Sequence, residues 1–140
     1  MSRLRVVQEA RRWIGTPYRD QHSLLGTGCD CLGLVRGVWR ELIGPEPEAM
    51  PHYTRDWGDV RGSEPLLDLG RRHMVPVEPA ALLPGRLIAF RMRRDWPAKH
   101  MGIVASDETM IHSREGVGVV EEELTRAWRR RIVAAFDFPL

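Results

Sequence analysis

Leu4, Val7, Ala10 and Trp13/Ile14, with arginines between them, recur at the spacing of one helical face and predict an amphipathic helix over 3–14. Gly15-Thr16-Pro17 ends it. The same spacing returns at Leu34, Val35, Val38 and Leu42, with Asp30 a suitable N-cap and Gly44-Pro45 a stop. A second helix therefore starts at or next to Cys31. Residues 44–63 carry Pro45, Pro47, Pro51, Gly58 and Gly62 with few periodic apolar positions, which predicts a long surface loop. A short helix over 64–73 and a turn-rich connection from Pro76 to Pro84 follow. From Gly85 the pattern changes to short apolar or alternating runs bounded by turns, at 86–92, 100–105, 109–113, 118–121 and 132–136. Helices first and a strand meander second predict an α+β fold with the N-terminal helices on one face of a C-terminal antiparallel sheet. No repeat, low-complexity tract or linker divides the chain, so residues 1–140 read as a single domain.

Composition supports this reading: 43% hydrophobic residues in 140 suffice for a core without disulfide or metal staples. A formal charge of +2 argues against nucleic acid as the main partner. Lys99 is the only lysine, and the clusters Arg91, Arg93, Arg94 and Arg126, Arg129, Arg130, Arg131 are either solvated surface or contacts for an anionic polymer. No window approaches 18 apolar residues, so no membrane span is expected. The stretch Met1 to Val7 lacks the apolar run of a secretory signal, and the expectation is a chain made in the cytoplasm without a signal peptide.

The chemistry gathers at "GTGCDCLGLVRGVWREL" (26–42). Cys29 and Cys31 are too close in sequence to staple distant parts of a fold, and no other cysteine exists to pair with them. A thiol attacks well only as thiolate, which a helix N-terminus favours, so Cys31 is the candidate nucleophile and Cys29 a bystander in the loop. A cysteine nucleophile needs a base, and usually a group that orients the base. His22 and His52 fall in predicted loops and His73 at a helix end, whereas His100 and His112 begin or occupy neighbouring strands. Rigid strands hold such geometry, which makes His100 the base and His112 the orienter. A zinc site of Cys29, Cys31, His100 and His112 would need a tighter Cys-x-Cys than is usual. A redox pair would more typically be Cys-x-x-Cys.

The segments "GCDCLGLV" (28–35), "HMGIV" (100–104) and "MIHSREGVGVVE" (110–121), with "WIGTPY" (13–18) and "LLPGRLIAF" (82–90), resemble the NlpC/P60 cysteine peptidases in the family's order. The resemblance implies a papain-like core and hydrolysis of peptidoglycan stem peptides without cofactor or metal. By position it makes Cys31 the nucleophile, His100 the base and His112 the third polar residue. Tyr18 matches a tyrosine whose hydroxyl supports the oxyanion site, with Asp30 supporting it from the cap. Two positions differ from the family pattern: Leu32 stands where serine is usual, and Arg86 replaces an aspartate. The form "GCDCLGLVRGVWREL" also looks like the branch found in phages and gene transfer agents. That branch implies a tail-borne enzyme with tail-tip or baseplate partners, acting at the cell wall. A non-catalytic tail-tip adapter and a wall amidase or acyltransferase are the alternatives on the same scaffold.

Overall fold

The computed structural model describes residues 2–48 and 64–140. Most of the predicted loop 44–63, and His52 with it, lies outside the described residues. The helices are α1 (Ser2–Arg12), α2 (Cys31–Leu42), α3 (Pro65–His73) and the short α4 (Arg126–Arg129). Strands β1 (Ser23–Leu24) and β2 (Gly28–Cys29) form a small hairpin between α1 and α2, where the sequence pattern shows no strand. The main sheet contains β3 (Val75–Val77), β4 (Leu87–Phe90), β5 (His100–Val104), β6 (Thr109–Arg114), β7 (Gly118–Glu123) and β8 (Ile132–Asp137). Its order is β3-β8-β4-β5-β6-β7, antiparallel throughout.

The predicted meander is therefore present from β4 to β7, while β8 returns to insert between β3 and β4. Strand β3 corrects the expectation of a bare connection over Pro76–Pro84. Pro76 is tolerated because β3 is an edge strand.

Two-residue alternation gives the sheet two apolar faces. Leu87, Met101, Ile103 and Ile111 pack with Val6, Val7 and Ala10 of α1 and Leu34 and Val38 of α2. On the other face Ile88, Phe90, Val104 and Met110 meet Leu124 and Trp128. Helices α1 and α2 thus cover one face, as the sequence pattern predicts, while the short α4 brings Trp128 to the other. Leu32 is buried in the helix-side core, so the apolar residue at this position serves packing. Arg86 joins the start of β4 to Asp137 at 3.0 Å and to the Ala81 carbonyl at 2.6 Å.

The start of α2 is fixed by one side chain. Asp30 caps it through the Gly33 amide at 2.7 Å and with its other oxygen accepts from Gln21 N–H, also at 2.7 Å. Gln21 sits at φ 64, a strained setting for a non-glycine residue that this bond holds in place. Gly33 lets the loop come close, since a Cβ there would lie 1.9 Å from the His22 carbonyl oxygen.

Helices α1 and α2 meet where the buried Trp13 ring lies on the backbone of Gly37. The ring cannot retreat, because its Nε1 donates to Glu9 at 3.2 Å. A Cβ on Gly37 would stand 2.0 Å from Cζ2 of the ring. Gly37→Ala is expected to lower the unfolding free energy by about 1–3 kcal/mol, measured by urea denaturation. An unchanged midpoint would show that this helix contact is loose.

Candidate active site

Cys31 opens α2, and the hairpin before it ties this helix start to the sheet. The Cys29 carbonyl accepts the buried Ser113 hydroxyl of β6 at 2.7 Å, while Cys29 N–H donates to Pro17 at 3.0 Å. Cys29 itself is fully buried, which fits the role of bystander. Cys31 is partly accessible, and its Sγ lies 3.6 Å from the Lys99 carbonyl, to which the thiol donates. His100 is the next residue, at the start of β5. Cys31, His100, Tyr18, Lys99, Arg114 and Trp128 line one cleft of about 400 Å³.

His100 and His112 come together as the strand pairing predicts. His100 Nε2 and His112 Nδ1 are 2.6 Å apart, with ring centroids at 4.9 Å. The bond uses Nε2 of His100 and leaves its Nδ1 outside that contact. Phe90 and Trp128 enclose the imidazoles: their ring centroids lie 5.7 and 5.8 Å from that of His100, and Trp128 stands 5.3 Å from His112.

This enclosure decides the protonation states. Burial, with the charges of His112 and Arg114, depresses the His100 pKa to about 3, and burial also lowers that of His112. Burial and the neighbouring Asp30 push the Cys31 thiol up to about 12, against the pull of the Met101 and Leu32 backbone amides. Desolvation thus works against the thiolate that the helix start favours. Both shifts favour the neutral forms, thiol for Cys31 and imidazole for His100.

Tyr18 lines the cleft, but its hydroxyl donates to Asp20 at 3.0 Å. Asp30 contributes through the cap and the Gln21 bond. Of the other histidines, His22 Nδ1 lies 2.8 Å from the Asp20 carbonyl and His73 Nε2 2.6 Å from Glu48. Among the described residues no group of three or more His, Cys, Asp or Glu side chains is arranged to hold a metal ion. No described helix is long and apolar enough to cross a membrane.

The same architecture occurs in solved structures. The NlpC/p60 domain of the peptidoglycan hydrolase SagA superposes with a TM-score of 0.69 at 18% identity, over 97% of this chain and 98% of that one. NlpC2 from Trichomonas vaginalis gives 0.68 at 17% identity, over 98% of this chain and 46% of that one. The fold is that of an NlpC/P60 domain. Among curated proteins, Murein DD-endopeptidase MepH of Escherichia coli (strain K12) is 28% identical over 124 residues, 87% of this chain and 41% of its own length. Probable endopeptidase NlpC of the same organism is 24% identical over 120 residues, 86% of this chain and 67% of its own. The chain thus spans less than half of the first relative and about two thirds of the second. No family model matches the chain.

Two residues at this site escaped the sequence reading. Glu122 of β7 lies in close contact with His112 Nε2 through Oε1, and Arg114 stands 3.6 Å from its Oε2. The register supplies what the sequence lacks: β7 pairs with β6 so that Val120 faces His112 and Glu122 faces Met110, which puts an acid on the face of the histidine. Trp128 had no sequence signal either, because the four-residue α4 is too short for a periodic pattern.

Two outcomes follow from the protonation states. Iodoacetamide should modify Cys31 before the buried Cys29, slowly at neutral pH and faster toward alkaline pH as the raised thiol ionises. A rate already at its plateau at pH 7 would contradict the neutral pair. The second outcome concerns stability. His100 takes up a proton near pH 6.5 when unfolded and near 3 when folded, so between these values the unfolded chain binds the extra proton. Stability is therefore lost as pH falls through this window, by up to about 1.4 kcal/mol per pH unit for each such proton. His100→Asn should flatten the slope of unfolding free energy against pH, and identical slopes would refute the assignment.

Proposed function

We propose that this chain is a cysteine endopeptidase that hydrolyses peptide stems of bacterial peptidoglycan. The observation that carries the reading is the shared cleft of Cys31 and His100, with His100 bonded to His112 behind it. The endopeptidase names of the sequence relatives supply the substrate class. The Cys31 proton passes to His100 Nδ1, and the thiolate attacks the scissile carbonyl carbon. Backbone amides at the start of α2 receive the oxyanion, with Tyr18 assisting once its hydroxyl turns from Asp20. His100 then returns its proton to the leaving amine. The resulting thioester is hydrolysed by a water that His100 activates as a base.

The likeness of "GCDCLGLVRGVWREL" to the phage and gene-transfer-agent branch supports the finer reading. In it, the enzyme rides on a phage-like tail and contacts tail-tip or baseplate proteins through its arginine-rich surfaces, and it acts at the wall during entry.

Purified peptidoglycan digested by the wild-type chain should release stem-peptide fragments, identified by mass spectrometry. Cys31→Ala should release none, and His100→Ala should lower kcat by about 10²–10⁴. Silence from the wild type would sink the peptidase reading in favour of an adapter, and failure to co-sediment with tail particles would sink the carriage.

A further inference from the structure

A hydrogen bond between two neutral imidazoles needs one N–H and one lone pair, so their tautomers are not independent. His112 touches two partners: Nε2 meets the Glu122 carboxylate, and Nδ1 lies 2.6 Å from His100 Nε2. A carboxylate offers only lone pairs, so the proton of the first contact sits on His112 Nε2. A neutral His112 has no second proton, and its Nδ1 is an acceptor. His100 Nε2 must then supply the N–H of the second contact. This leaves the lone pair of His100 on Nδ1, where the Cys31 proton has to go.

We infer that Glu122 is a positioning residue which, by holding the proton of His112 on Nε2, orients both imidazoles so that His100 Nδ1 is the proton acceptor for Cys31. This rests on the peptidase reading. The opposite order, with His112 Nδ1–H donating to His100 Nε2, would place the His100 proton on Nδ1 and block the transfer. In the productive order the Cys31 S–H bond breaks and an N–H bond forms at His100 Nδ1, giving thiolate and imidazolium with no change of net charge. The imidazolium then points its Nε2–H along the chain that ends at the Glu122 carboxylate. Rotation cannot reverse the order cheaply, because Phe90 and Trp128 pack against the His100 ring. Glu122 is held in turn by Arg114, 3.6 Å from its second oxygen.

The test reads tautomers directly, by long-range proton–nitrogen correlation NMR of the ¹⁵N-labelled full chain at neutral pH. The wild type should show both His100 and His112 protonated on Nε2, with lone-pair shifts at both Nδ1 atoms. In Glu122→Leu a His100 Nδ1–H population should appear, and alkylation of Cys31 at pH 7 should slow by at least about tenfold. Glu122→Gln, whose amide oxygen still accepts from Nε2–H, should keep the wild-type tautomers and most of the rate. A wild-type His100 protonated on Nδ1, or a Glu122→Leu spectrum unchanged from the wild type, would overturn the inference. If Glu122→Leu does not fold, the wild-type spectrum and Glu122→Gln decide. Wall cleavage enters neither readout, so a chain with these tautomers that cuts no peptidoglycan would count against the peptidase reading alone.

Discussion

Asp30 makes one buried carboxylate serve two backbone amides, that of Gly33 in the first turn of α2 and that of Gln21 in the loop before it. A neutral cap would satisfy the helix alone, at about 1 kcal/mol. The second bond makes the loop an extension of the helix. Cys31, next in the chain, inherits its position from both. The same loop carries Tyr18, which lines the cleft and donates its hydroxyl to Asp20, and the neighbouring β2 anchors to Ser113 on the sheet. The helix start that carries Cys31 is thus tied to the strands that bear His100 and His112.

Burial has opposite effects on the two halves of the site. It disfavours the charged forms of the Cys31 thiol and of both imidazoles. It also strengthens every dipole and hydrogen bond that meets charge formed during reaction. With aromatic rings on His100 and a carboxylate behind His112, the cleft is built for a charge that exists only briefly. The sign of the design is consistent from Cys31 to Glu122.

Much of this was legible in the sequence, for identifiable reasons. Long-period signals such as Leu34, Val38 and Leu42 have few competing explanations, and Asp30 before an apolar run marks a helix start by its chemistry. His100 and His112 were readable as a pair because the turn between their strands is short enough to force antiparallel neighbours. The hairpin at 23–29 was hidden because two-residue strands carry no period, and β3 because Pro76 argues against a strand unless its edge position is known. Glu122 was hidden differently. "GVVEEE" reads as a strand leaving the core, and only the register shows which of its three acids faces the histidine. The desolvation of Cys31 was hidden as well, because a helix N-terminus is visible in sequence while burial is not.

The distribution of the site along the chain bears on how it comes into being. His100, His112 and Glu122 fall within 23 residues, on three strands joined by tight turns, whereas Cys31 is 69 residues upstream of His100. Local pairings close quickly and distant ones slowly, since the entropy of closing a long loop must be met before its contacts repay it. The histidine–carboxylate chain therefore belongs to the part of the molecule that can assemble early, and Cys31 arrives with the docking of the N-terminal helices. A nascent or partly unfolded chain would carry the paired histidines without the thiol beside them. Reactivity in such a protein is a late property of folding, one that local disorder in either half is enough to switch off.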